Sequence, residues 1–333
     1  MKIAIVITAK NEERLLKSNL QYHFAVGVNK AYIYFDGATD GGPDSIRDIP
    51  QVEVQDSVNP ETYSHLSFLD KFTTMADEHH TARQCLNTYN ATLKCKRDGI
   101  DWLISIDADE VIIADKNEPA PLTTLFDGVS EDVDLIHFNT KEAVQRRNEY
   151  DNVFADETLF KSTHLFKRKL ERPSKEIHDP FLKKNTKISY WMGQFQGKSA
   201  IRVASDLIPK NVHRYKHKDG SLLKQIEKGL VLHYHAFDQP DFIKKFTNFK
   251  KHPDNFLAGS DVGYVKKLWR DVVNSDDIEA HYRNNYFQNN IMFTESEINK
   301  MSSKIFGILP RKQKPFEKIT SVKKAFDSLN LQE

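Results

Sequence analysis

Residues 104–113 read ISIDADEVII. An apolar run of this kind asks for a buried strand, while Asp107, Asp109 and Glu110 ask for water or a cation. Both demands are met where a central strand runs out at the rim of a sheet. In extended backbone, residues i and i+2 point the same way, roughly 7 Å apart. Asp107 and Asp109 are therefore expected to face one space beyond the strand, with Ala108 turned away. Two hard oxygen ligands at that spacing suit Mg²⁺ or Mn²⁺, which keep positions open for water and phosphate oxygens. A cation there would neutralise a diphosphate and stabilise the charge that develops as it leaves.

The surroundings supply a sheet for this strand to end in. IAIVIT (3–8) reads as a buried strand, and residues 11–27 follow with helical spacing at Leu15, Leu16, Leu20 and Phe24 before Gly27. AYIYF (31–35) is a second strand, broken by the turn-rich DGATDGGPD, and VEVQ (52–55) a short third. Residues 77–99 read as a long helix stopped at Gly99, and 101–107 as the central strand. Such alternation predicts an α/β fold with a mainly parallel, doubly wound sheet that binds ligands beyond the carboxyl ends of its strands. That rim collects Lys10, Asn11 and Glu12 after the first strand and Asp36 after the second. After residue 133 the pattern loosens into shorter strands with basic loops, including KSAIRVA and LVLHYHAF, and from residue 239 it turns helical.

TAKNEERLLKSNLQYHFAVGVNKAYIYFDGATDGG followed by WLISIDADEVI resembles the nucleotide-sugar glycosyltransferases of the GT-A fold, in particular the family 2 and family 92-like group. GKSAIRV (197–203), HRYK (213–216) and VLHYHAFD (231–238) are similar to that group's downstream pattern, so the likeness spans about residues 3–250. Near Asn19 and Leu20 the group usually carries a tryptophan that this chain lacks. The resemblance implies a Rossmann-like GT-A sheet with flanking helices in residues 1–250, with 1–115 as the nucleotide-binding half and 116–250 as the acceptor half. Residues 251–333 would form a basic helical extension. It further implies that Asp36 contacts the nucleoside of a UDP-sugar and that Asp109, helped by Asp107, holds Mn²⁺ or Mg²⁺. Lys10, Asn11, Glu12 and Lys198 would line the donor site. A histidine of the HYH segment would complete the metal site. His233 matches the first histidine of the group, which makes His235 an outer or phosphate contact.

Transfer with inversion needs a carboxylate base. Asp156, Glu157, Glu176 and Asp179 are the candidates, with Glu176 and Asp179 favoured because their loop also carries a lysine and a histidine. The expected acceptor is a glycan or lipid-linked sugar in surface polysaccharide synthesis. Two other readings compete. IDADEVI also satisfies the first motif of haloacid-dehalogenase-type phosphatases, with Asp107 as nucleophile and Asp109 as general acid, although that motif normally opens a chain and needs a later acidic pair after a strand. A non-catalytic carbohydrate-binding protein is the other. No GxGxxG follows the first strand, which argues against a Rossmann oxidoreductase.

Lysines and arginines (48) balance aspartates and glutamates (47), so nucleic acid is not an expected partner. Two cysteines and the lack of a leader-like or membrane-spanning run point to a cytoplasmic protein. Its tail offers a possible peripheral membrane contact. Residues 300–333 carry eight Lys or Arg against three acids, with Ile319, Val322, Phe326 and Leu329 as an apolar stripe opposite Lys323 and Lys324. His79 and His80 read as a solvated helix start, and His213 and His217 as phosphate or acceptor contacts in a basic loop.

Overall fold

Continuous apolar runs build the centre of the sheet. In this computed structural model β1 (Ile3–Ala9), β2 (Lys30–Phe35) and β4 (Trp102–Ile106) are buried along nearly their whole length, as strands covered on both faces must be. The structure describes residues 1–162, 192–193, 196–257, 259–276, 285–303 and 314–331. β1 pairs in parallel with β2 and with β4, and β2 pairs in parallel with β3 (Val52–Asp56). Helix α1 (Glu13–Ala25) joins β1 to β2, and α2 (His80–Asp98) leads into β4. Gly99 ends α2 with φ of +64°, the left-handed cap that glycine adopts without steric cost.

Past β4 the sheet becomes antiparallel. β8 (Lys198–Arg202) pairs antiparallel with β4 on one side and with β6 (Leu135–Ala143) on the other, which gives the order β3-β2-β1-β4-β8-β6. Off this path, β11 (Gln225–His233) runs antiparallel to β5 (Glu110–Ile113), with His233 opposite Glu110. The observed fold is thus mixed α/β with flanking helices. One face of its core packs Val6, Tyr32, Tyr34, Leu103 and Ile201 against Ala91 and Cys95 of α2. Each large apolar side chain buried there contributes about 1.5–3 kcal/mol.

The chain divides into two units. The first comprises Met1–Thr140, Gln196–His233 and Thr320–Glu333, and the second Lys141–Phe195 and Tyr234–Ile319. In the second, β7 (Leu159–Lys161) pairs with the end of β6 and with β12 (Phe316–Lys318). Its helices α3 (Gln239–Asn248) and α4 (Tyr264–Asn274) bury Phe242, Phe246, Trp269 and Val272 in one aromatic core. A buried ion pair, Lys161 to Glu142 at 3.1 Å, lies in this unit too.

Two expectations change. The tail helix α5 (Ser321–Asn330) belongs to the first unit, where Phe326 stacks on Tyr22 of α1 at 6.4 Å and Val322 and Ala325 are buried. Of the apolar stripe that suggested a membrane contact, Val322 and Phe326 are buried in the fold and Leu329 stays partly exposed. Among the described residues, no helix is long and apolar enough to cross a membrane. The strand expected over LVLHYHAF also stops early, at His233. His235 and Ala236 form a turn, and Ala236 takes a φ of +43°, which an L side chain rarely adopts.

Candidate functional site

The extended path expected for residues 107–109 is replaced by a turn. β4 stops at Ile106, because β5 leaves to pair with β11 rather than continuing beside β1. Glu110 N–H donates to the Asp107 carbonyl at 3.0 Å, and Asp107 N–H donates to Glu110 Oε2 at 2.9 Å. This reciprocal pair closes the turn and sends the two aspartates to different partners. Asp107 accepts from Gln84 Nε2 at 2.5 Å and from Lys198 Nζ at 2.9 Å. Asp109 instead approaches His233 Nε2 at 3.4 Å, both side chains buried.

Lys198 is completely buried and lies 3.2 Å from Glu110 as well. Burial would lower its ammonium, but Asp107 and Glu110 outweigh that and hold it above the ordinary lysine range. Burial likewise pushes the Asp107 carboxyl up, and Lys198 with Gln84 brings it down to about 2. For Glu110 burial wins and its carboxyl is raised. Lys198 was expected to line the donor site; in the structure it bridges two carboxylates of the turn.

Asp36 sits at the end of β2, also buried, in a different setting. Arg83 grips it from two nitrogens, Nε to Oδ1 at 2.5 Å and Nη2 to Oδ2 at 2.9 Å. His80 Nδ1 adds a contact to Oδ2 at 2.6 Å, and Ser57 Oγ one to Oδ1 at 3.3 Å. Burial raises this carboxyl, yet His80 and Arg83 hold it far below the usual carboxylate range. The first turn of α2 thus supplies partners to two strand ends at once, His80 and Arg83 to Asp36 and Gln84 to Asp107. Spacing explains it: residues three and four apart share a helix face.

Asn11 follows β1 with φ of +57°, a left-handed conformation asparagine tolerates. Its Oδ1 accepts from Thr39 N–H at 2.8 Å and Thr39 Oγ1 at 3.2 Å, tying β1's end to the loop after β2. Glu12 starts α1 through its carbonyl, which accepts from Leu15 and Leu16, and Lys10 lies beside it half-buried. Behind the acidic turn, Asn19 Nδ2 donates to the carbonyls of Ala108 and Glu110 at 3.0 and 2.7 Å. His23 Nδ1 meets Asn19 Oδ1 at 2.8 Å, and its Nε2 accepts from Ile112 N–H at 3.3 Å.

Of the rim residues expected from the sequence, Asn11, Asp36, Asp107, Asp109, Lys198 and His233 all belong to the first unit, and the structure pairs Asp107 with Lys198 and Asp109 with His233. His235 belongs to the second unit, where its carbonyl accepts from Gln145 Nε2 at 2.7 Å. Glu176 and Asp179 lie outside the described residues. Glu157 is tied down by Arg146 and Tyr150, with the Tyr150 hydroxyl at 2.6 Å, and Asp156 by Arg147 at 3.0 Å. His213 Nδ1 meets the Gly197 carbonyl at 2.9 Å, and burial beside Lys198 lowers its pKa to about 3. His217 pairs with Asp134 at 3.1 Å. Asp276 follows α4 and not a strand, so it does not supply the acidic group after a strand that the phosphatase reading needs. Sequence reasoning missed His80, Arg83, Gln84, Asn19 and His23. The signal for the last two was polar residues four apart on the apolar face of α1.

No family model matches the chain. Two glycosyltransferase-like proteins of Arabidopsis thaliana are similar to it, one 25% identical over 227 residues, covering 64% of this chain and 49% of the relative. The other is 22% identical over 228 residues, covering 65% and 43%. The chain thus spans about half the length of the curated relatives it matches. Among solved structures, it is similar to glucosyl-3-phosphoglycerate synthase from Mycobacterium tuberculosis in complex with Mn²⁺, UDP and glucosyl-3-phosphoglycerate. That likeness has a TM-score of 0.32 and 11% identity, over 76% of this chain and 81% of the other. The same enzyme with Mn²⁺, UDP and phosphoglyceric acid gives a TM-score of 0.33 and 14% identity, over 76% and 80%.

Proposed function

We propose that this chain is a metal-dependent glycosyltransferase of GT-A type that moves a sugar from a nucleotide-diphosphate donor, a UDP-sugar, to a glycan or lipid-linked acceptor. The observation that carries the reading is the buried Asp109–His233 pair at the carboxyl edge of the sheet, 3.4 Å apart. A carboxylate oxygen and an imidazole nitrogen form a donor set that Mn²⁺ accepts readily and Mg²⁺ less so. The residues therefore fit the cation, with Asp109 and His233 as its ligands from this unit. When bound, the ion supplies positive charge against the diphosphate leaving group. The glycosyltransferase-like relatives support the same activity.

The chain's own residues divide the remaining work. Lys198 offsets part of the charge of Asp107 and Glu110, which lessens their repulsion of a diphosphate. Asp36, with Arg83 and His80, orients the nucleoside, and Lys10, Asn11 and Glu12 shape the adjoining rim. Glu176 and Asp179 are the proposed source of the acceptor's base, with inversion of configuration and a role in surface polysaccharide synthesis. A cytoplasmic location goes with that role.

The test is nucleotide binding with and without metal. Thermal stabilisation by UDP is expected to need Mn²⁺, to vanish with a chelator, and to be lost in Asp109→Asn while that variant unfolds as cooperatively as the parent. UDP binding that ignores both metal and the substitution would sink the reading.

A further inference from the structure

We infer that Asn19, His23 and Tyr22 of α1 are positioning residues that hold the Asp109 turn in shape for a divalent cation. The inference rests on the metal reading above. It starts from an oddity of α1. A helix face that packs on a sheet through Leu15, Leu16 and Leu20 also carries an asparagine and a histidine that are 0% exposed, and a tyrosine at 1%. Polar groups buried this deeply are costly unless each finds a partner.

Each of the three sends a polar atom to one stretch of backbone, residues 108–112. The Asn19 amide donates to the carbonyls of Ala108 and Glu110, which bracket Asp109. Two carbonyl acceptors require its NH₂ to face them, so its Oδ1 faces His23. There Nδ1 donates to Asn19 Oδ1 and lies 2.9 Å from the Asn19 carbonyl. That fixes the proton on Nδ1 and leaves Nε2 bare to accept from Ile112 N–H. The Tyr22 hydroxyl donates to the Ile112 carbonyl at 3.1 Å, and its ring is itself held by Phe326.

The consequence is geometric. Residues 107–109 form no ladder of their own, so the direction of the Asp109 side chain depends on what grips the peptides around it. From the sheet side Glu110 closes the turn; from the helix side one amide spans it. Leucines at 19 and 23 would remove the contacts to the Ala108 and Glu110 carbonyls and to the Ile112 N–H, so the polar pair both holds the turn together and fixes its path. Outer partners that orient a ligand are worth roughly 10–100-fold in metal affinity.

Mn²⁺ binding to nucleotide-free protein, followed by the free-ion electron paramagnetic resonance signal, tests this alongside the metal-free melting temperature. Wild type and Asp109→Asn come first. If wild type binds no Mn²⁺, or Asp109→Asn binds as well, the metal reading itself fails. Given binding in wild type alone, Asn19→Ala and His23→Phe are each expected to weaken Mn²⁺ about tenfold. The double variant should lose little more, because both act through one network. Wild-type Mn²⁺ affinity in variants that merely melt lower would overturn the inference. If Asn19→Ala does not fold, Tyr22→Phe removes a single hydroxyl from the same backbone. A two- to threefold weaker Mn²⁺ affinity is expected there, and unchanged affinity overturns the inference equally.

Discussion

Asp36 and Asp109 occupy similar places, just past the ends of β2 and β4, and both are buried. Their partners differ in kind. Asp36 faces a guanidinium, which never gives up its proton and satisfies a carboxylate through two parallel hydrogen bonds. Asp109 faces an imidazole, which binds either a proton or a metal ion with the same lone pair. Strand position decides that a carboxylate reaches the rim. The side chain delivered from the neighbouring element decides whether it is locked in a permanent pair or left able to exchange partners.

That contrast can be strained from several sides. The largest effect is expected from Lys198→Met. It leaves Asp107 and Glu110 beside a methyl thioether, and breaking a buried pair from one side costs about 3–5 kcal/mol. Urea unfolding should show that loss, and adding Glu110→Gln should recover part of it. A stable Lys198→Met protein would mean that the acidic turn does not depend on its lysine, and the contrast with Asp36 would weaken.

A second effect is read by pH. Burial holds the His23 pKa down to about 4, against about 6.5 in an unfolded chain. Between those values the unfolded state binds the extra proton. Stability is therefore full above about pH 6.5 and falls as the pH drops toward 4, by about 3 kcal/mol in all. His23→Phe should flatten that limb of the stability curve, measured by denaturation at each pH. An unchanged limb would show that His23 does not titrate as its surroundings require.

The smallest effect concerns Asp36. Asp36→Ala should raise the Michaelis constant for donor about tenfold with little loss of turnover, as for an interaction equally strong in ground and transition states. Arg83→Met should match it if the aspartate acts through the guanidinium. A mild Arg83→Met beside a severe Asp36→Ala would mean that the carboxylate releases its partner and meets the nucleoside itself.

The parallel half of the sheet was legible from sequence because its signals are local. Unbroken apolar runs gave β1, β2 and β4, and Gly99 stopped α2 where it was expected. The acidic turn was half legible. Composition put carboxylates at the rim, but nothing local says that β5 leaves β4 to pair with β11, so an extended path looked natural across 107–109. The same limit cut short the reading of residues 230–237, where the strand ends two residues before His235. His80 read as part of a solvated helix start and Arg83 drew no reading; their partner is 44 and 47 residues away. Asn19 and His23 offered a visible signal, two polar residues on an apolar stripe. Only the fold could say what they held.

β8 sits next to β4 in space although Lys198 lies 91 residues from Asp107 along the chain. Strands β1 to β4 can pair as soon as residue 106 is present, while the antiparallel neighbour must wait for a distant segment. Closing so long a loop has an entropic cost before any contact repays it. The first unit is thus expected to assemble in two stages, a quick parallel quartet and a slower docking of β8. Until that docking, the carboxylates of the turn lack their lysine, so added Mn²⁺ should speed the late phase of refolding.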